Sequence, residues 1–306
     1  INLSLGEVYY VLNMKKASIS AFVKALENNP RNFEAYEWLG RIYLSKGKGR
    51  TGAAEKIYKE ALRIDPNNIV IKKNLFNIYY NKGKNMVNVG NYKSALAFFN
   101  KAKQVQPNLL IYRWVMFALN KLGRYSDSIN EFDESMKHNV DKVDKVDKVD
   151  KELYNNYGYA HFRLGNYDKA LEAYNNAINI DDKYIDAYMG KGAIFERQKE
   201  YQKAIIAYDN SITIYPGGAK FYNARGHALS CLERYDEAVI AFEKAIDINS
   251  TYVEAYSGKA SAKAILKQYE EAVAAYNMVI KFDPKNEYAY YGKGEALEKL
   301  KRGIDA

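Results

Sequence analysis

Residues 151–184 read KELYNNYGYAHFRLGNYDKALEAYNNAINIDDKY, and the three 34-residue blocks that follow repeat their plan. Tyr154, Tyr188, Tyr222 and Tyr256 fall in step. So do Tyr167, Tyr201, Tyr235 and Tyr269, and likewise Ala170, Ala204, Ala238 and Ala272. Self-similarity at this fixed period marks a stacked-repeat solenoid. Within one unit, Leu153, Tyr157, Ala160 and Leu164 keep the i, i+4, i+7, i+11 spacing of one helix face. Leu164-Gly165-Asn166 breaks the pattern. Glycine takes the left-handed conformation that ends a helix, and Asn166 is placed to cap the next one. Tyr167, Ala170, Leu171, Tyr174, Ala177 and Ile178 then mark a second helix. The small residues Ala170 and Ala177 stand where two helices approach closely, and Tyr167 and Tyr174 fill the gaps between.

This pattern resembles the tetratricopeptide repeat (TPR). The family has an aromatic at unit position 4, small residues at 8, 20 and 27, aromatics at 17 and 24, and proline at 32. Tyr154, Gly158, Ala170, Ala177, Tyr167 and Tyr174 match, with Asp182 in place of the proline. The resemblance implies an all-α fold: a right-handed superhelical solenoid of antiparallel helix pairs, with about eight repeats and a partial ninth. On this reading 1–306 is a single solenoid of repeats 1–32, 33–68, 69–108, 109–150, 151–184, 185–218, 219–252 and 253–286, with a partial ninth over 287–306. Repeat two carries a two-residue insertion in KGKGRTG. Repeat three runs its first helix on through NKGKNMVNVGNY, about two extra turns. Repeat four puts Met116, Ser128 and Ser135 at the small positions and ends in an eight-residue insertion that contains most of DKVDKVDKVD. All five prolines (Pro30, Pro66, Pro107, Pro216 and Pro284) fall on unit position 32, between one repeat and the next, where a residue that cannot sit inside a helix belongs.

The valines of the DKV tract drift around a helix by about 60° per step and form no apolar stripe. The tract reads as a charged helix extension or a solvated loop, with either no role or a partner contact. The 29 tyrosines are mostly accounted for by positions 4, 17 and 24, and read as core packing. No run of 18 apolar residues suggests a membrane span. One cysteine, Cys231, excludes an internal disulfide framework and fits a reducing, intracellular compartment. Beginning at Ile1 rather than Met and stopping inside a repeat, the chain reads as a fragment. The terminal repeat is then left with Leu297 and Leu300 short of a cover, a face through which a truncated array or a dimer is equally expected.

Nothing in the chain points to catalysis. The three histidines, His138, His161 and His227, join no cluster with zinc spacing. Gly190-Lys191-Gly192 and Gly292-Lys293-Gly294 fall within helices, not between a strand and a helix, so neither is a phosphate loop. No cofactor and no metal are expected, and the chain reads as a non-enzyme.

The resemblance implies protein–protein interaction. The first helices of the repeats line a concave groove that takes a peptide or helix through unit positions 2, 5, 6, 9, 12 and 13. Those positions give Glu37, Trp38 and Arg41 in repeat two, Lys73, Asn74 and Asn77 in repeat three, and Arg113, Trp114 and Phe117 in repeat four. Both tryptophans thus occupy groove position 6, and Trp and Arg are the commonest binding hot spots. Each Trp reads either as a ligand contact or as filling left by a poorly matched neighbour. The main candidate groove is Trp38, Arg41, Lys73, Asn77, Arg113, Trp114 and Phe117. A secondary groove comprises Asn156, Tyr159, Arg163, Arg197, Asn223 and His227, whose amide and guanidinium groups suit an extended backbone or a carboxylate. Family members that clamp the terminal carboxylate of a heat-shock protein use Lys, Asn, Asn, Lys and Arg in three successive repeats. Lys73 and Asn77 match, but Trp114, Glu152 and Asn156 do not, so that clamp is not reproduced.

Charge is lopsided. The chain carries +9, residues 1–108 carry +11 and the remainder −2. Repeat three has seven lysines (Lys72, Lys73, Lys82, Lys84, Lys93, Lys101 and Lys103) and no acid. Such a field attracts acidic partners. An acidic protein or peptide is the expected partner, ahead of nucleic acid held through phosphates. The expected role is a scaffold or adaptor, with a substrate-recruiting arm of a larger enzyme as the alternative.

Overall fold

The computed structural model describes residues 1–45, 51–140 and 150–304, and all of the described secondary structure is helical. The chain divides into two compact units, Ile1–Val149 and Asp150–Ala306. Most of KGKGRTG and nearly all of the DKV tract lie outside the described residues.

The first unit holds α1 (Asn2–Val11), α2 (Lys15–Asn28), α3 (Phe33–Ser45), α4 (Thr51–Ile64), α5 (Ile69–Asn88), α6 (Tyr92–Val105), α7 (Leu109–Lys121) and α8 (Tyr125–Val140). Each helix packs on the next, and α3 also touches α5, the first helix of the following pair. The long α5 carries the extra turns expected from NKGKNMVNVGNY. Asn68, Asn91 and Asn108 cap α5, α6 and α7, each accepting from a backbone N–H three residues on at 3.0 Å. Satisfying an orphan donor in this way fixes where the helix begins.

The second unit holds α9 (Lys151–Arg163), α10 (Tyr167–Ile180), α11 (Ile185–Arg197), α12 (Tyr201–Ile214), α13 (Ala219–Cys231), α14 (Tyr235–Ile248), α15 (Val253–Ile265), α16 (Tyr269–Phe282) and α17 (Glu287–Ile304). Gly165 ends α9 at φ +80°, as its place in the sequence requires. Asn166 departs from the expected cap. It occupies the N-cap of α10 without a side-chain cap bond, and its amide donates instead to His161 Nδ1 at 3.3 Å. The bond to the buried imidazole at the end of α9 uses the amide N–H, while the Oδ1 that a cap would need makes no bond to the start of α10. The five prolines all stand between helices.

Packing follows one rule in both units, the fourth repeat with Met116 apart: a small residue on the first helix faces an aromatic on the second. Tyr58, Tyr174, Tyr208 and Tyr276, together with Phe22, Phe99 and Phe242, are buried at the equivalent place. A Cβ placed on Gly192 would lie 2.2 Å from the ring of Tyr208. One on Gly190 would lie 2.3 Å from the ring of Tyr174, on the preceding helix pair. Gly190 and Gly192 are therefore spaces for two aromatic rings, on opposite sides of α11. This accounts for the glycine pair without any phosphate.

Candidate functional site

The groove positions of the first unit form two aromatic centres. At the first, Trp38 of α3 stacks on Phe22 of α2 (5.9 Å, 6° between planes) and meets Tyr10 of α1 at 5.1 Å. Its Nε1 donates to Glu7 Oε1 at 3.1 Å, and the Arg41 guanidinium lies 5.4 Å from its ring. Arg41 in turn donates to Glu37, one turn back. Trp38 is thus packed, hydrogen-bonded and covered by a cation.

At the second centre, Trp114 of α7 lies 5.6 Å from Phe99, 5.7 Å from Phe117 and 6.2 Å from Tyr80. Phe76 stacks on Tyr80 at 5.9 Å, and Tyr92 meets Phe117 edge-on at 6.2 Å. Lys84 holds its ammonium 5.8 Å from the Trp114 ring and 5.6 Å from Tyr80, while Lys121 stands 5.5 Å from Phe117. Cations over aromatic faces are held by the ring quadrupole. The Trp114 Nε1, unlike that of Trp38, is buried and has no acceptor. The same is true of Asn74 Nδ2, at the equivalent place on α5. A buried donor without an acceptor costs about 1–3 kcal/mol.

Arg113 is half-buried on α7, and Lys73 and Asn77 are exposed on α5. The structure brings Trp38 together with Arg41, and Trp114 with Phe117. Tyr80 and Lys84 also belong to the second centre. Tyr80 occupies groove position 12, where the pattern could have found it. Lys84 sits on the extra turns of α5, where unit positions do not apply.

The basic field of the third repeat is partly neutralised. Lys82 bonds Glu55 at 2.7 Å, and Lys103 bonds Glu131 at 2.7 Å and Glu134 at 3.2 Å. Glu55 also accepts from Tyr79 and Lys59. Burial alone would raise its pKa, but the hydrogen bonds from Lys59, Lys82 and Tyr79 outweigh it and hold the carboxyl at about 2.

In the second unit, Arg163 donates to Tyr159 Oη at 2.7 Å and covers its ring at 5.6 Å. Arg197 is exposed in the last turn of α11, and Asn156 is half-buried on α9. Asn223 is buried on α13 with its Oδ1 lacking a donor. His227 lies edge-on to Phe242 at 5.2 Å. No group of three or more His, Cys, Asp or Glu suited to a metal occurs among the described residues. No helix among them is long and apolar enough to cross a membrane.

Consecutive helix pairs that pack a small residue of the first helix against an aromatic of the second define a helical-repeat fold. Family models described as tetratricopeptide repeat match residues 3–69, 76–109, 185–219 and 219–252, and one described as TPR repeat matches 158–199 and 261–301. The chain belongs to the tetratricopeptide repeat family, whose fold is a protein–protein interaction scaffold.

Among curated relatives, it is 25% identical over 189 residues to human tetratricopeptide repeat protein 6, covering 61% of this chain and 33% of that protein. It is 24% identical over 168 residues to the TPR repeat-containing protein MJ1428 of Methanocaldococcus jannaschii, covering 43% of this chain and 30% of that one. The chain thus spans about a third of the length of these relatives. Two solved structures share the fold. A tetratricopeptide repeat protein from Parabacteroides merdae has a TM-score of 0.55 at 17% identity, covering 86% of this chain and 98% of that one. The APC/C hetero-tetramer Cut9–Hcn1 has 0.57 at 15% identity, covering 95% and 74%.

Proposed function

We propose that this chain is a non-catalytic scaffold or adaptor that captures a peptide or helix of a partner on the inner face of α3, α5 and α7. The observation that carries the reading is the Trp114 Nε1, a buried donor without an acceptor inside an aromatic cluster. Once the side chain turns to bring the N–H to the surface, a partner's backbone carbonyl or carboxylate would satisfy it, and the Asn74 amide on α5 offers a second buried donor of the same kind. Phe117 and Tyr80 supply flat apolar contact, while Lys84, Lys121, Arg113 and the exposed Lys73 favour an acidic segment. Trp38 is the weaker anchor, because Glu7 already takes its N–H.

The test is partner capture by the chain and by Trp114→Phe, Arg113→Glu and Lys84→Gln variants, each checked by circular dichroism, with and without nuclease. Trp114→Phe keeps the ring packing and removes the donor, so affinity should fall about tenfold, the equivalent of one lost hydrogen bond. Lys84→Gln should lower the association rate and its salt dependence. Capture unchanged in all three variants places the ligand elsewhere. Capture that disappears with nuclease makes the basic surface a nucleic-acid site.

A further inference from the structure

The second unit carries a repeated ion pair that the sixth repeat lacks. At unit position 7 of the seventh and eighth repeats stand Arg225 and Lys259. Each reaches back to a carboxylate at position 25 of the preceding repeat: Arg225 to Asp209 at 2.7 Å, and Lys259 to Glu243 at 2.7 Å. The sixth repeat has Lys191 at the same place, but position 25 before it is Asn175. Among the described residues no carboxylate pairs with Lys191. Its ammonium is half-buried, and burial pushes its pKa down.

A second difference lies beside it. Lys191 lines a shallow groove with Tyr188, Phe195, Lys203 and Ile206. In the next two repeats the counterpart of Lys203 is acidic, Glu237 and Glu271, so only here does the groove hold two lysines. Lys203 lies 5.7 Å from the Phe195 ring and pairs with the half-buried Glu200 at the N-cap of its own helix. Ile206 is 56% exposed. Lys293 also follows an asparagine, Asn277, but no second helix follows α17 among the described residues to form the groove.

We propose that this groove between α11 and α12 is a docking site for an acidic peptide of another protein. A Glu or Asp carboxylate would pair with Lys191 in place of the missing Asp209-type partner, and a neighbouring aliphatic residue would lie on Phe195 and Ile206. The site stands apart from the groove of α3, α5 and α7 and does not depend on it. Charge complementarity fixes the occupant: a half-desolvated cation without a counter-ion discriminates a carboxylate from its amide.

The test is NMR on the full chain with 13C-labelled lysine, titrated with the blocked tripeptide acetyl-Leu-Glu-Leu-amide and its Gln analogue. The Lys191 Cε signal is assigned by its loss in Lys191→Met. The Glu peptide should move that signal saturably at millimolar concentration, and the Gln peptide should bind about tenfold more weakly. Asn175→Asp, which rebuilds the ion pair of the neighbouring repeats, should weaken the Glu peptide about as much while leaving the fold intact. Equal binding of the two peptides, no saturable shift of Lys191, or binding unchanged by Asn175→Asp overturns the proposal.

Discussion

The rule that a first-helix glycine faces a second-helix aromatic makes a signed prediction at Gly192. Alanine there would place its Cβ 2.2, 2.6 and 2.8 Å from three ring atoms of Tyr208. Tyr208 is 1% exposed and cannot swing aside, so the ring or all of α12 must shift. Overpacking of this kind costs up to about 3 kcal/mol. Alanine's better helix propensity returns about 1 kcal/mol, leaving a net loss of about 2 kcal/mol. Gly294 provides the control. It is also within a helix and at the same unit position, but nothing lies within 4 Å of its would-be Cβ. Gly294→Ala should therefore gain about 1 kcal/mol from propensity alone. Thermal unfolding should show Gly192→Ala falling by about 4–8 °C and Gly294→Ala rising by about 2–4 °C, at the scale expected of a unit of this size. Hydrogen exchange read by mass spectrometry should place the loss in α11 and α12, because repeats couple mainly to their neighbours. If both substitutions raise stability, the glycine–aromatic rule is refuted as the account of this packing.

Two of the buried serines at small positions, Ser18 and Ser128, should respond in opposite directions. Ser18 donates to the Gly6 carbonyl at 2.7 Å, so Ser18→Ala should cost about 1 kcal/mol, whereas Ser128 Oγ is buried without a partner and Ser128→Ala should gain about as much, both read from denaturant midpoints. Lys199, Glu233 and Lys267 end their helices at φ near +60°, where Gly165 stands in an equivalent repeat; each changed to glycine should raise stability by about 1 kcal/mol, measured singly. Glu55 has a folded pKa depressed from 4.5 to about 2, so its contribution is present above pH 4.5 and is lost as pH falls toward 2. Glu55→Gln should destabilise by about 2–3 kcal/mol at pH 7 and approach the parent's stability near pH 2; an equal deficit at both ends of that range refutes the assignment.

The fold was legible because local and long-range signals coincide at fixed intervals. The prolines fall between helices, Gly165 adopts its left-handed turn, and the length of α5 follows from seven residues inserted before Tyr92. Asn166 stands at the N-cap of α10 as its place in the sequence indicates, but its side chain bonds a buried imidazole five residues earlier instead of capping the helix, a contact that sequence does not show. The tyrosines could be placed by position. Which of them would be closed in was decided by the partner helix: Tyr58, Tyr174 and Tyr208 are buried, whereas Tyr215 and Tyr291 remain more than half exposed.

The candidate sites were legible only as addresses. Unit positions put Trp38 and Trp114 on the same face, yet they stand in opposite chemical states: Glu7 takes the N–H of one, and nothing takes that of the other. Glu7 lies 31 residues from Trp38, so the difference rests on a contact between repeats rather than on either repeat alone. Lys84 entered the second centre from a stretch with no counterpart elsewhere in the chain. The same logic governs Lys191. Lysine at that position is ordinary, and its meaning comes from Asn175, one helix earlier, where the neighbouring repeats have Asp209 and Glu243. In a repeat protein the pattern shows which positions touch. Departures from the pattern at touching positions then show where an interaction has been left open.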